Sequence, residues 1–68
     1  MKYLVIVEKA EHNYSAFVPD LPGCIATGET PEQTHENMRE AVEIYLDELK
    51  ASGEPVPEPS ANIDYVTV

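Results

Sequence analysis

The apolar positions of this chain change period twice. Residues 3–8 read YLVIVE, a run rich in β-branched and aromatic residues that predicts a strand. Its side chains alternate, with Tyr3, Val5 and Val7 on one face and Leu4 and Ile6 on the other. The polar KAEHN that follows predicts a turn, and YSAFV, residues 14–18, predicts the returning strand of a hairpin that Pro19 ends. CIAT, residues 24–27, predicts a short third strand. Further on, the spacing lengthens to three and four. Thr34, Met38, Ala41, Val42, Tyr45, Leu46 and Leu49 fall on one helical stripe.

TPEQ opens that helix. Thr30 suits the N-cap, Pro31 the first helical position, and Gln33 completes the pattern of a capping box, with Glu32 placed where the helix dipole favours negative charge. Gly53 is the expected stop. GEPVPEPS, with three prolines, predicts an extended crossing of the surface. NIDYVTV returns to period two, with Ile63, Tyr65 and Thr67 on one face and Asp64, Val66 and Val68 on the other, and predicts a fourth strand.

The predicted order is β-β-β-α-β, an α+β fold in two layers. A three-stranded antiparallel meander lies under one helix, and the final strand runs parallel to the first after a right-handed crossover. One helix covers one face of a sheet, yet the first strand is apolar on both faces. Leu4 and Ile6, joined by Phe17, therefore need other cover. A second copy, another protein or the proline-rich segment folding back would each supply it. Ile44, about 115° from the centre of the helical stripe, adds a weaker apolar position outside it.

Length and charge narrow the classes. Sixty-eight residues make a single domain, 1–68. A domain this small buries only about 60% of its unfolded surface, so association is an expected supplement. The one cysteine cannot form an internal disulfide, and its spacing from the two histidines matches no structural zinc pattern. A formal charge of −9 disfavours nucleic acid and anionic membranes and suits a basic protein partner, or plain solubility. The apolar core of MKYLVIVEK is too short for a signal peptide or a membrane helix, so a reducing cytoplasm is the expected location.

No residue set assembles a catalytic centre, and no enzyme activity, cofactor or metal is expected. Cys24 has no histidine, lysine or helix start beside it in sequence and reads as a small semi-buried hydrophobe. His12 falls in the hairpin turn and His35 on the flank of the helical stripe. Glu8 and Asp64 lie on strands that a parallel pairing would bring together, while Glu36 and Glu40 face solvent, which falls short of the convergent carboxylates a two-metal nuclease requires.

PDLPGC at 19–24, TGET at 27–30 and the helix EQTHENMREAVEIYLDELKASGEPVPEP form a set that resembles the HicB family, the antitoxins of HicA/HicB toxin–antitoxin pairs. The likeness covers nearly the whole chain. It implies a partial RNase H-like fold without nuclease activity. It also implies neutralisation, by complex formation, of a small basic HicA-like toxin that cleaves mRNA. His35 and Met38 depart from the aliphatic or alanine residues common in similar sequences. Many relatives continue into a DNA-binding domain, whereas this sequence stops at Val68, so direct nucleic-acid binding is not expected.

The expected partner-binding residues are Phe17, Asp20, Leu21 and Pro22 at the corner, with Leu4 and Ile6 on the second sheet face. The corner is read first as turn chemistry, with Asp20 bonding nearby backbone and Pro22–Gly23 setting the turn; its rigidity would also present Leu21 to a partner. The expected assembly is a complex with the toxin and a homo-oligomer, dimer or tetramer. The alternative is a stand-alone homo-oligomeric module with no toxin partner.

Overall fold

A computed structural model describes residues 1–68. Three short strands come first, β1 (Ile6–Lys9), β2 (Tyr14–Phe17) and β3 (Ile25–Gly28), followed by one helix, α1 (Pro31–Ala51). The strands form an antiparallel meander in the order β1-β2-β3. The register places Ile6 opposite Phe17 and Phe17 opposite Ile25, so these three share one row across the sheet. Side chains alternate, so Ala16, Ala26 and Gly28 face the other way, and α1 packs there.

The small residues on that inner face let the helix approach closely. A Cβ built on Gly28 would lie 2.6 Å from Thr34 Oγ1 and 2.7 Å from Thr34 N. Thr34 is fully buried, and its hydroxyl donates to Thr30 O at 2.7 Å, so the polar atom is satisfied inside the contact. Ala16, Val18, Leu21, Cys24 and Met38 form the core, with Tyr3, Val5, Ala41, Val42, Tyr45 and Leu46 packed around it. The predicted helical stripe thus faces the sheet.

Both helix ends follow local chemistry. Thr30 Oγ1 accepts from Gln33 N at 3.0 Å, and Pro31 occupies the first turn. The reciprocal half of the capping box is replaced. The Gln33 side chain donates to Asn37 Oδ1 at 2.9 Å, and Asn37 Nδ2 donates to Thr27 O at 2.7 Å. This ties the first two turns of α1 to β3. At the other end Glu54 N reaches Leu49 O and Gly53 N reaches Lys50 O, with Gly53 at φ +77°. That is a complete Schellman motif, with the left-handed position taken by the residue that, lacking a Cβ, adopts it without steric penalty.

The predicted fourth strand is not present. Residues 55–68 contain no regular element and take part in no backbone–backbone hydrogen bond. Three prolines remove donors from the crossing, and the amides of Ser60 and Ala61 are taken by Asp20. Residues 62–65 then run beside residues 4–6 and border a groove of about 350 Å³ with them, without building a ladder. β1 is also shorter than the predicted strand. It begins at Ile6 because its partner β2 ends opposite, at Phe17.

Candidate functional site

The stretch 18–24 is built from two β-turns in series. Leu21 N donates to Val18 O at 3.1 Å and Cys24 N donates to Leu21 O at 3.0 Å, while Val18 N reaches Cys24 O at 3.3 Å to close the corner. Pro19 and Pro22 each hold the second position of a turn, where their fixed φ is suited. Gly23, at φ +82°, takes the position after Pro22, the geometry of a type II turn.

This arrangement corrects the expectation for Leu21. The residue is the junction of the two turns, is 0% exposed and packs in the core with Val18 and Met38, so its side chain is not presented at the surface. Asp20 is also engaged internally. Its carboxylate accepts from Ser60 N at 3.0 Å, Ser60 Oγ at 2.8 Å and Ala61 N at 3.1 Å. The backbone N–H groups of Ala61 and then Ser60, followed by the Ser60 hydroxyl, hold its carboxyl below the usual carboxylate range. Asp20 is thus a clasp on the C-terminal segment. A second tie is the Tyr3 hydroxyl donating to Pro57 O. Pro22 is exposed, and its carbonyl accepts from the Tyr45 hydroxyl at 2.9 Å.

The remaining expected contacts lie together on the outer sheet face. Ile6 is 36% exposed and Phe17 38%, and Leu4 is half-buried beside the tail. Sequence reasoning missed Ile25, which completes their row at 69% exposure. The available signal was its alternation with the buried Cys24. Beyond β3, Ile25 and the exposed Ile44 border one groove with Ala41 and Tyr45, so the apolar surface continues around the sheet edge.

The opposite side of the molecule is acidic. Glu32, Glu36, Glu40, Glu43 and Asp47 project from α1 away from the buried stripe and are all exposed. Arg39 lies among them, 2.8 Å from both Glu36 Oε1 and Glu43 Oε1. Its hydrogen bond and charge hold the Glu36 carboxyl below its ordinary range.

The candidate chemical groups do not converge. No three of the histidine, cysteine, aspartate and glutamate side chains gather closely enough to hold a metal ion. Cys24 is buried with its thiol 3.9 Å from Met38 Sδ, and burial pushes its pKa up, away from thiolate reactivity. His12 stands exposed in the hairpin turn, 3.7 Å from Glu11. No helix is long and apolar enough to cross a membrane.

Comparison with known proteins adds an independent line. Residues 3–67 match the model of a family described as the HicB-like antitoxin of bacterial toxin–antitoxin systems. A UPF0150 protein of Thermoplasma acidophilum is 40% identical over 62 residues, which span 90% of this chain and 90% of that protein. A UPF0150 protein of Helicobacter pylori is 46% identical over 46 residues, covering 68% of this chain and 64% of the relative, just under two thirds of its length. Among solved structures, a chain of a HicA3 and HicB3 toxin–antitoxin complex superposes with a TM-score of 0.75 at 27% identity, covering 88% of this chain and 70% of that one.

Proposed function

The chain belongs to the HicB-like antitoxins of bacterial toxin–antitoxin systems, and from that membership we propose that it neutralises a small basic, HicA-like, mRNA-cleaving toxin by forming a protein complex. The observation that carries the reading is the carboxylate stripe of α1. Five exposed acidic residues share one helical face, relieved by one arginine, on a chain of net charge −9. Such a surface attracts a basic protein at a distance and disfavours like-charged ones, which sets encounter rate and specificity. The toxin is held by occlusion, and no chemical step falls to this chain.

Of the residues expected to touch a partner, Leu4, Ile6, Phe17 and Pro22 remain candidates for direct contact. Asp20 and Leu21 act by holding the corner and tail in shape. The alternative reading, a stand-alone homo-oligomer without a toxin, draws its support from the open apolar row of Ile6, Phe17 and Ile25.

The test is purified chain mixed with a HicA-type ribonuclease and labelled RNA. Suppression of cleavage at stoichiometric ratio is the expected result. Added salt weakens the complex, and the double change Glu40→Lys with Asp47→Lys weakens it by at least about tenfold, because opposite-sign steering is lost. Cleavage that continues unchanged at low salt overturns the proposal.

A further inference from the structure

Ile44 stands outside the buried stripe of α1 and Ile25 outside the core, yet the fold brings the two together. They wall a groove of about 230 Å³ between the free edge of β3 and the flank of the helix, with Cys24, Ala41 and Tyr45 lining it. Both walls are open to solvent, Ile25 at 69% and Ile44 at 60% exposure. The Tyr45 hydroxyl donates to Pro22 O at 2.9 Å, which ties one end of the groove to the corner and sets its shape before anything enters it.

The strand edge beside the groove is open at one residue. Val18 N donates to Cys24 O, so Cys24 O faces β2, and the alternation of an antiparallel ladder turns the main chain of Ala26 and Gly28 the same way. The main chain of Ile25 and Thr27 faces away from β2. Asn37 Nδ2 caps Thr27 O at 2.7 Å, which blocks the addition of a long strand there. The N–H and C=O of Ile25 have no neighbouring strand. The rim is acidic. Glu48 borders the groove, no basic side chain does, and Glu40 and Asp47 lie one turn from Ile44 on either side, all exposed.

We propose that this groove is the anchoring point for the basic partner. It seats one large apolar side chain of that partner between Ile25 and Ile44, with a lysine or arginine beside it meeting Glu48 and the main chain of Ile25 bonding the partner's extended backbone. The inference rests on the toxin reading and adds where the toxin is gripped. Glu40 and Asp47 belong to the carboxylate stripe of α1, so the groove adjoins the surface that draws a basic protein in. The stripe governs encounter, and a desolvated apolar anchor governs how long the complex lasts.

Other occupants fit less well. A second copy of the chain brings its own charge of −9 to an acidic rim and is repelled there. The tail of the same chain runs beside residues 4–6, at the β1 end of the sheet, with β2 between it and β3.

Titration calorimetry of the full chain with a HicA-type ribonuclease tests the proposal. Ile44→Ser and Ile25→Ser each raise the dissociation constant at least about tenfold, because a wall of the groove is gone. Both positions are exposed, so each variant folds, which circular dichroism checks. Ile63→Ser, at a similarly exposed apolar position on the tail, leaves the constant within about twofold of wild type. Salt separates the two parts of the grip. Glu48→Gln weakens binding at low salt and the difference fades as salt is added, whereas the loss from Ile44→Ser persists. A wild-type chain that binds no toxin at low salt ends the toxin reading and this inference together. A wild-type chain that suppresses cleavage while either groove variant binds as tightly overturns the groove alone, as does an equal loss from Ile63→Ser.

Discussion

Phe17 and Val18 are neighbours in sequence, yet Phe17 is 38% exposed and Val18 is 2% exposed. The difference reproduces in miniature the two faces of the sheet. On the helix side α1 closes over Ala16, Ala26 and Gly28 of β2 and β3, all small, while Tyr14 at the end of the same face is half-buried and Val7 on the edge strand β1 stays exposed. On the other side the strands present Ile6, Phe17 and Ile25, all large, and nothing in the chain closes over the row. Hydrophobicity alone did not decide which residues are inside. The helix packs where side chains are short enough to let its backbone approach, and the bulky row is left to solvent or to another molecule.

The largest expected effect sharpens that contrast. Leu21→Ala removes a fully buried side chain from a core of five residues and is expected to cost about 2–5 kcal/mol. That is a large part of the stability of a domain this small. Ile25→Ala, measured at dilution where copies are separate, is expected to stay within about 0.5 kcal/mol of wild type. Urea unfolding of both variants checks the pair. Equal losses would mean that the outer row belongs to the core of one copy, and the contrast between faces would fail.

Gly28 probes the inner face from the opposite direction. A glycine in a strand is ordinarily improved by alanine, by about 0.5–1 kcal/mol. Here the added Cβ meets the Thr34 backbone as well as its hydroxyl, all within 3 Å, and no side-chain rotation relieves a backbone contact. Gly28→Ala is therefore expected to destabilise by about 1–3 kcal/mol, reversing the ordinary sign. A urea midpoint at or above wild type would show that helix and strand separate freely.

Most of this fold was legible because most of it is local. The helix announced its start at Thr30–Pro31, its buried stripe and its stop at Gly53 through chemistry within a few residues. The hairpin followed from alternation and a polar turn. Leu21 was read outward because turn residues usually lie on the surface; only the closure of two consecutive turns around it, each with proline second, drives it inward. The tail NIDYVTV has every residue type a strand favours, but strand propensity is realised only against a partner edge. Its neighbour, residues 3–5, is itself unpaired. The outer row was half legible: Ile6 and Phe17 were placed by alternation, while Ile25 needed the register of β3. The clasp between Asp20 and Ser60–Ala61 spans 40 residues of sequence, and no local pattern encodes such a contact.

That clasp yields the smallest and most local expected effect. The Asp20 carboxylate accepts three hydrogen bonds from the tail, and they hold its pKa below the usual range in the folded chain. A depressed folded pKa means that the contribution to folding is present above the ordinary aspartate value and is lost as pH falls through the lower, folded one. The tie of residues 60–61 should therefore be intact at neutral pH and loosen only in the acid range, below about pH 4. The core around Leu21 and Met38 has no titrating contact with that carboxylate and should outlast it. Amide hydrogen exchange at Ser60 and Ala61, compared with amides of β2, measures the difference: acid exposes the tail first, and Asp20→Asn produces the same release at neutral pH. If the tail amides exchange alike in wild type and variant, residues 55–61 are held by Tyr3 and by packing rather than by Asp20. The corner would then be a turn and nothing more, and the tail would be positioned beside the outer row by the same residues that border the core.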